Sequence, residues 1–381
     1  MWAYLQYIVI FALISCHLWN ILSVDKITIR TAFCPHRNVA KVTKTIKNVS
    51  KVVKKIFNKT IKTVLPIVLG ILILYMIYAD FDFTQLWAAL AEMDMTWFAV
   101  STFFGIMSHV IRGWRWRLTL APLGYAPSSS VCVDSIFIAY AANLVVPRVG
   151  EVSRCVVLEQ YERVPFAQSL GTVVSERLID TLMVVSLTVL AVLLQWPVFC
   201  RFLSDAGFGT AESPFFASIG GWVVVLLSLV GIMALLYRVI HKMAFWKRIK
   251  SFISNFVVGI TSLAKMKNGW LFILETVGIW FCYFMQFYLC FFCFGFSSDL
   301  SLLAGLLLFV AGSVAVVVPT PNGAGPWHFA IISIMVLYGV SPTNASVFAL
   351  IVHSTQTLLV AVLGIYALIM LQFKKHLNKK L

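Results

Sequence analysis

The chain has 381 residues, of which 60% are apolar and 12% are charged, about half the charged fraction of an ordinary soluble domain. Most of it cannot face water, which excludes a water-soluble enzyme, a disordered protein and a secreted disulfide scaffold. Thirty Lys and Arg against fifteen Asp and Glu give a net charge of +15. In so apolar a chain that excess points to a membrane rather than to nucleic acid.

In chain order, residues 1–24 are long enough to span a bilayer but lack a basic leader region and a small-residue cleavage site. They read either as an extra span starting outside or as a product of an upstream start codon. Residues 25–62 hold eleven Lys and Arg and one acid, Asp25. Within them Val39, Val42, Ile46, Val49, Val53, Ile56 and Phe57 fall on helical spacing. That pattern fits a basic amphipathic helix on an anionic leaflet or a solvated basic linker. Apolar runs at 63–79, 95–111, 166–195, 214–237, 270–296 and 343–372 are near the ~20 residues a span needs. Residues 250–265 repeat the amphipathic pattern, and 374–381 form a basic tail. The domain reading is therefore 1–62, a hydrophobic and then basic segment; 63–373, a membrane domain; and 374–381, a cytoplasmic tail.

Two further apolar stretches are interrupted. One, 131–147, ends at Val145-Val-Pro147; the other, 300–340, is broken by Pro319-Thr-Pro-Asn-Gly-Ala-Gly-Pro326. Charge fixes the sidedness. Residues 25–62, Arg112, Arg115 and Arg117, residues 238–267 and the tail together hold 25 of the 30 basic residues and mark the cytoplasmic face. The acidic connection around Asp80, Asp82, Glu92 and Asp94, the loop 196–213 and Asp299 then lie outside. Each interrupted segment must start and finish on one face, the first inside and the second outside. The expected fold is an all-α polytopic membrane protein with six core spans and two re-entrant helical hairpins. They form an inverted repeat, about 95–195 and about 270–372, as transporters use to build a midplane site. The alternative keeps the same topology but makes 300–318 and 327–340 two short full spans.

Ionisable residues inside apolar segments are costly, about 2.5–3.5 kcal/mol each at the bilayer centre, and default to function. Glu176, Arg177 and Asp180 lie within the run from Phe166, with the two acids one turn apart. Arg148, Gly150, Glu151 and Arg154 follow the first proline break. There Gly150 can permit a tight turn, and the restarting helix can offer N–H groups to an anion. Arg suits bidentate phosphate binding. The second break adds Asn322, Gly323, Gly325 and His328. These eleven residues are the candidate substrate site; the competing reading of the charged ones is an ion-pair network fixing hairpin to span. Glu275 fits interfacial snorkelling, and His109 and His353 fit satisfied helix positions. Cys290-Phe-Phe-Cys293 lacks the context of a metal or redox site and reads as packing. No nucleotide, metal or nucleophile–base motif appears, so the expectation is no cofactor and no metal.

Four segments in order carry a family resemblance: Arg112-Gly-Trp-Arg-Trp-Arg-Leu-Thr-Leu120, Pro147-Arg148-Val-Gly150-Glu151, Glu176-Arg177-x-x-Asp180, and Pro319-x-Pro-x-Gly-x-Gly325. Together they resemble the lysylphosphatidylglycerol synthase transmembrane region, a flippase-like family, over about residues 60–373. The resemblance implies an integral inner-membrane protein that moves aminoacylated phosphatidylglycerol between leaflets. In the best-understood members a cytoplasmic aminoacyltransferase domain follows the membrane part. Here the chain stops eight residues after Phe373, so the synthase activity is not carried over and no catalytic residue is named. Many relatives place a Glu after the second glycine motif, where this chain has Trp327-His328, which leaves the role of His328 open.

Three functions compete at this level: a translocase for an anionic, zwitterionic or aminoacylated phospholipid; a membrane-embedded lipid transferase; and a non-catalytic partner of a separate lipid-modifying enzyme. Leaflet movement by the chain alone, turnover of a lipid, or co-purification with an enzyme would separate them. The expected partners are membrane phospholipids and not nucleic acid, in the cell (inner) membrane, with the C-terminus cytoplasmic.

Overall fold

Apolar helix formers interrupted only by Pro, Gly and capping residues give a chain without strands among the described residues. A computed structural model describes residues 67–79, 81–198, 268–318 and 320–380, the side chains of 375 and 377–380 excepted. Nearly all of them belong to one of two compact units, Leu65–Gln195 with Leu229–Leu381. The expected span 214–237, the segment 1–62 and the amphipathic run 250–265 lie outside the described residues.

Helix α1, Ile67–Tyr78, bends by 86° into α2, Phe83–Ala91. Asp94 then caps α3, Met95–Leu120, by accepting the backbone N–H groups of Thr96 and Trp97. At 26 residues α3 is about 39 Å long at the usual 1.5 Å rise, nine residues beyond the apolar run 95–111. After a turn come α4, Ser129–Val145, and α5, Gly150–Glu162. Then α6, Phe166–Leu194, is 29 residues long and apolar enough to cross a membrane. The same holds for α7, Gly269–Leu289 with its 3-10 extension to Cys293, and for the apolar part of α10, Pro342–Lys380. Between those two lie α8, Leu302–Ala315, and α9, Pro326–Leu337.

The arms α4, α5, α8 and α9 have 17, 13, 14 and 12 residues, each short of the ~20 needed to cross alone. Each pair folds back on itself, α4 on α5 and α8 on α9. The interrupted segments are thus helical hairpins. The first hairpin's turn differs from expectation. The left-handed residue is Arg148, with φ 65°, not Gly150. Glycine at 150 answers a different demand: a Cβ there would lie 2.1 Å from the Ala139 carbonyl oxygen, so the arms can cross only if that side chain is missing. The second turn uses positive φ at Asn322, Gly323 and Gly325. At Gly325 a Cβ would also approach the Gly70 carbonyl of α1 to 2.9 Å.

Packing follows a two-fold pattern. Helix α3 lies along α7, and each hairpin's first arm packs on the last helix of the other half: α4 on α10, α8 on α6. Within the halves α3 meets α4 as α7 meets α8, and α5 meets α6 as α9 meets α10. Each hairpin has its own apolar core. Trp116, Leu120, Ile136, Cys155 and Leu158 pack around the first, and Phe287, Phe291, Leu308, Ile331 and Phe348 around the second. Cys290 and Cys293 are free thiols buried in this second core.

Three contacts tie helix ends together. Tyr78 at the end of α1 donates to the Ser346 carbonyl near the start of α10. The Asp94 N–H before α3 donates to the Cys293 carbonyl after α7. Near the end of the apolar part of α10, Lys374 pairs with Asp134 at 3.1 Å, one turn into α4.

Candidate functional site

The candidate site is built where α3, α5 and α6 bring their charges together. Asp180 binds one guanidinium on each oxygen: Arg112 Nη1 at 2.6 Å on Oδ2 and Arg115 Nη2 at 2.9 Å on Oδ1. One turn earlier on α6, Glu176 accepts from Arg154 Nη1 at 2.9 Å and faces Arg115 Nε at 3.5 Å. The Arg154 guanidinium also stacks 4.6 Å above Trp116, whose indole N–H donates to Thr172. Arg112, Arg115, Arg154, Glu176 and Asp180 are all buried. In apolar surroundings such charges persist only as mutual partners.

Arg112 and Arg115 are the residues that a reading of flanking charge misses. They look like a basic cluster after a span, yet α3 runs on past them and turns both inward. The signal available was their spacing: three apart, they share a helix face, while Arg117, five and two residues away, forms a surface contact with Ser129.

A cavity of about 510 Å³ opens beside this network, lined from both halves of the molecule. Its charged wall is Arg112, Arg148, Glu151, Arg177 and Asp180. Arg177 is 40% exposed and reaches Glu151 at 3.5 Å and Asp180 at 3.7 Å. Arg148, at the tip of the first hairpin, extends to within 3.5 Å of the Val317 carbonyl at the second tip. The tips therefore adjoin, and the α4 arm also meets the turn Pro321–Gly323. On the floor Tyr140 and Tyr283 share a hydrogen bond of 2.7 Å, and Arg112 Nε donates to Tyr283 at 3.3 Å. His109 lies tilted against Tyr140 with ring centres 4.3 Å apart.

Of the eleven sequence candidates, Arg148, Glu151, Arg177, Asp180, Asn322 and Gly323 line the cavity. Arg154 and Glu176 stand behind the wall in the buried network. The Gly150 N–H is taken by the Asn143 side chain at 2.7 Å, so it is not open to an anion. Gly325 and His328 sit at the second tip away from the cavity lining. There the Gly325 N–H donates to His328 Nδ1, and the His328 ring lies 4.5 Å from His353. His353 does line the cavity, with Nε2 3.1 Å from the Asn322 carbonyl. Glu275 is on α7 beside Thr276, the hydroxyl that accepts from Arg115. Among the described residues no three His, Cys, Asp or Glu side chains converge as metal ligands.

Comparison with known proteins agrees with the resemblance read from the motifs. The family described as lysylphosphatidylglycerol synthase TM region matches residues 63–364. A curated relative, glycosyltransferase AglD of Haloferax volcanii, is 26% identical over 130 residues. That stretch is 34% of this chain and 21% of the relative, so the match spans about a fifth of the relative's length. No solved structure matches.

Proposed function

Because the chain belongs to the lysylphosphatidylglycerol synthase transmembrane-region family, we propose that it carries a polar phospholipid between the leaflets of its membrane. The observation that bears most on this is the charge balance at the hairpin tips. Five guanidiniums, of Arg112, Arg115, Arg148, Arg154 and Arg177, face three carboxylates, of Glu151, Glu176 and Asp180. Counting Glu275 as a fourth acid still leaves the cluster positive. The buried Arg112, Arg115 and Arg154 share two carboxylates, Glu176 and Asp180, and on the cavity wall Arg148 and Arg177 have one between them, Glu151, which faces Arg177, so that among the described residues Arg148 is left without a carboxylate. An anionic phosphodiester supplies the missing charge in the bidentate geometry Arg favours.

The tips also favour a substrate with an apolar tail. Val145 is 74% exposed and Val317 65% exposed, flanking the charged wall. Bare valines beside a cationic cavity suit a head group held by arginine while its chains stay in hydrocarbon. The packing exchange between halves supports an inverted repeat with both hairpins re-entrant. The three end contacts agree with the sidedness read from charge. The ends of α1 and α7 would then share the outer face with the starts of α3 and α10. The Lys374–Asp134 pair would lie at the inner face, with the C-terminus cytoplasmic.

The relative's name favours a second reading, in which the chain acts on a lipid-linked sugar as part of a glycosyl transfer. Both readings are tested in liposomes containing the purified chain and trace fluorescent phospholipid. Dithionite quenching beyond half of the label reports leaflet exchange. We expect quenching beyond half in the wild type and at least a tenfold slower rate in Arg177→Ala, equivalent to about 1.4 kcal/mol. Quenching that stops at half for every phospholipid, together with turnover of a lipid-linked sugar, would replace the translocase by the transferase.

A further inference from the structure

The cavity has a second wall of different chemistry. That wall is formed by Gln286 on α7, Asn322 at the second tip, and Thr355 and Gln356 on α10. None of these four carries a formal charge. The Gln286, Thr355 and Gln356 side chains make no hydrogen bond with the described residues. Asn322 donates its amide to Thr357 at 2.7 Å and keeps its side-chain oxygen unengaged. Beside them Trp280, Tyr283, Phe309 and Trp327 present aromatic rings to the same space. Unpaired amides and hydroxyls in a cavity are specificity groups: they cost little when they meet a matching partner and discriminate strongly against a ligand lacking it.

Resting on the translocase reading, we propose that the head group carried is uncharged and rich in hydroxyls, a glycerol or sugar joined to the lipid through a phosphodiester, rather than an aminoacyl cation. The phosphate sits against Arg148 and Arg177. The hydroxyls exchange hydrogen bonds with Gln286, Asn322, Thr355 and Gln356, and the C–H faces of the head group pack on the aromatic rings. An ammonium group would have to compete with arginine for the two carboxylates that line the cavity among the described residues, Glu151 and Asp180. Asp180 has both oxygens on guanidiniums. Glu151 points one oxygen at Arg177 at 3.5 Å, and its other oxygen is buried without a hydrogen-bond partner. About 510 Å³ lies within the range of small-molecule sites, roughly 300–1,000 Å³, and is large enough for a phosphorylated polyol.

Four fluorescent lipids of equal tails decide the matter in the liposome assay: phosphatidylmethanol, phosphatidylglycerol, phosphatidylinositol and lysyl-phosphatidylglycerol. The first three carry the same charge and differ in hydroxyl count. Phosphatidylglycerol and phosphatidylinositol are expected to move at least five times faster than phosphatidylmethanol and than the lysyl ester. In Gln356→Ala and Gln286→Ala the ratio of phosphatidylinositol to phosphatidylmethanol rates should fall toward one. Equal rates for phosphatidylmethanol and phosphatidylglycerol, or a lysyl ester moving fastest, would overturn the head-group assignment and leave the translocase standing. Uptake of soluble inositol phosphate into the liposomes without movement of any lipid would overturn both.

Discussion

Glu176 and Asp180 stand one turn apart on α6, and between them they engage Arg112, Arg115 and Arg154 from two other helices. Such a network is poor glue compared with apolar packing, but breaking one member leaves its partner charged and buried. Arg154→Ala strips Glu176 of its 2.9 Å contact and should destabilise the protein by about 3–5 kcal/mol, as loss of one partner of a buried pair does. Arg154→Leu with Glu176→Leu removes both charges and should cost less than Arg154→Ala alone. Thermal unfolding in detergent measures both. A double variant less stable than the single one would mean that the pair contributes net attraction, beyond mutual neutralisation. The acids of this network are plain in the sequence because Glu and Asp are rare in an apolar run. Its arginines are not, since a basic cluster after a span has the same composition whether it faces water or folds inward. Only the continuation of helix α3 past residue 111 decides, and that depends on Asp180 and Glu176 lying opposite.

The hairpins are the elements most legible from local chemistry. Proline disfavours helix at the residue before it and cannot donate within a helix, and the breaks after Val145 and Ala315 fall just ahead of Pro147 and Pro319. Which residue bends the chain is not legible, because two glycine roles look alike in a sequence. Gly150 reads as a turn residue, yet the left-handed turn falls on Arg148 and the glycine serves the crossing of α4 and α5. Gly150→Ala should therefore force the arms apart, because its Cβ would meet backbone, which cannot move aside alone. A loss of about 2 kcal/mol is expected, the scale of overpacking a tight contact. Gly171→Ala on α6 is the control. A Cβ there meets nothing within 4 Å, and the substitution should be neutral or stabilising by up to about 1 kcal/mol. Limited proteolysis and thermal unfolding of the two variants side by side distinguish close packing from a turn requirement.

At the scale of the whole molecule, function depends on two hairpins that meet at their tips. The exchange of α4 onto α10 and α8 onto α6 makes each half hold the other's hairpin, so movement of one half displaces the opposite tip. In alternating access the tips would separate and re-form around a fixed site. Arg148 reaches the Val317 carbonyl across that gap at 3.5 Å, which places the neighbouring side chains within range of a short bifunctional thiol reagent. The double variant Val149→Cys and Val317→Cys, made with all eight native cysteines replaced by Ala or Ser, should move lipid before cross-linking and stop after it. A cleavable linker should restore the rate on reduction. Lipid movement that continues at full rate with the tips linked would show that they form a static groove along which head groups slide, and the rocking of the two halves would have no part in transport.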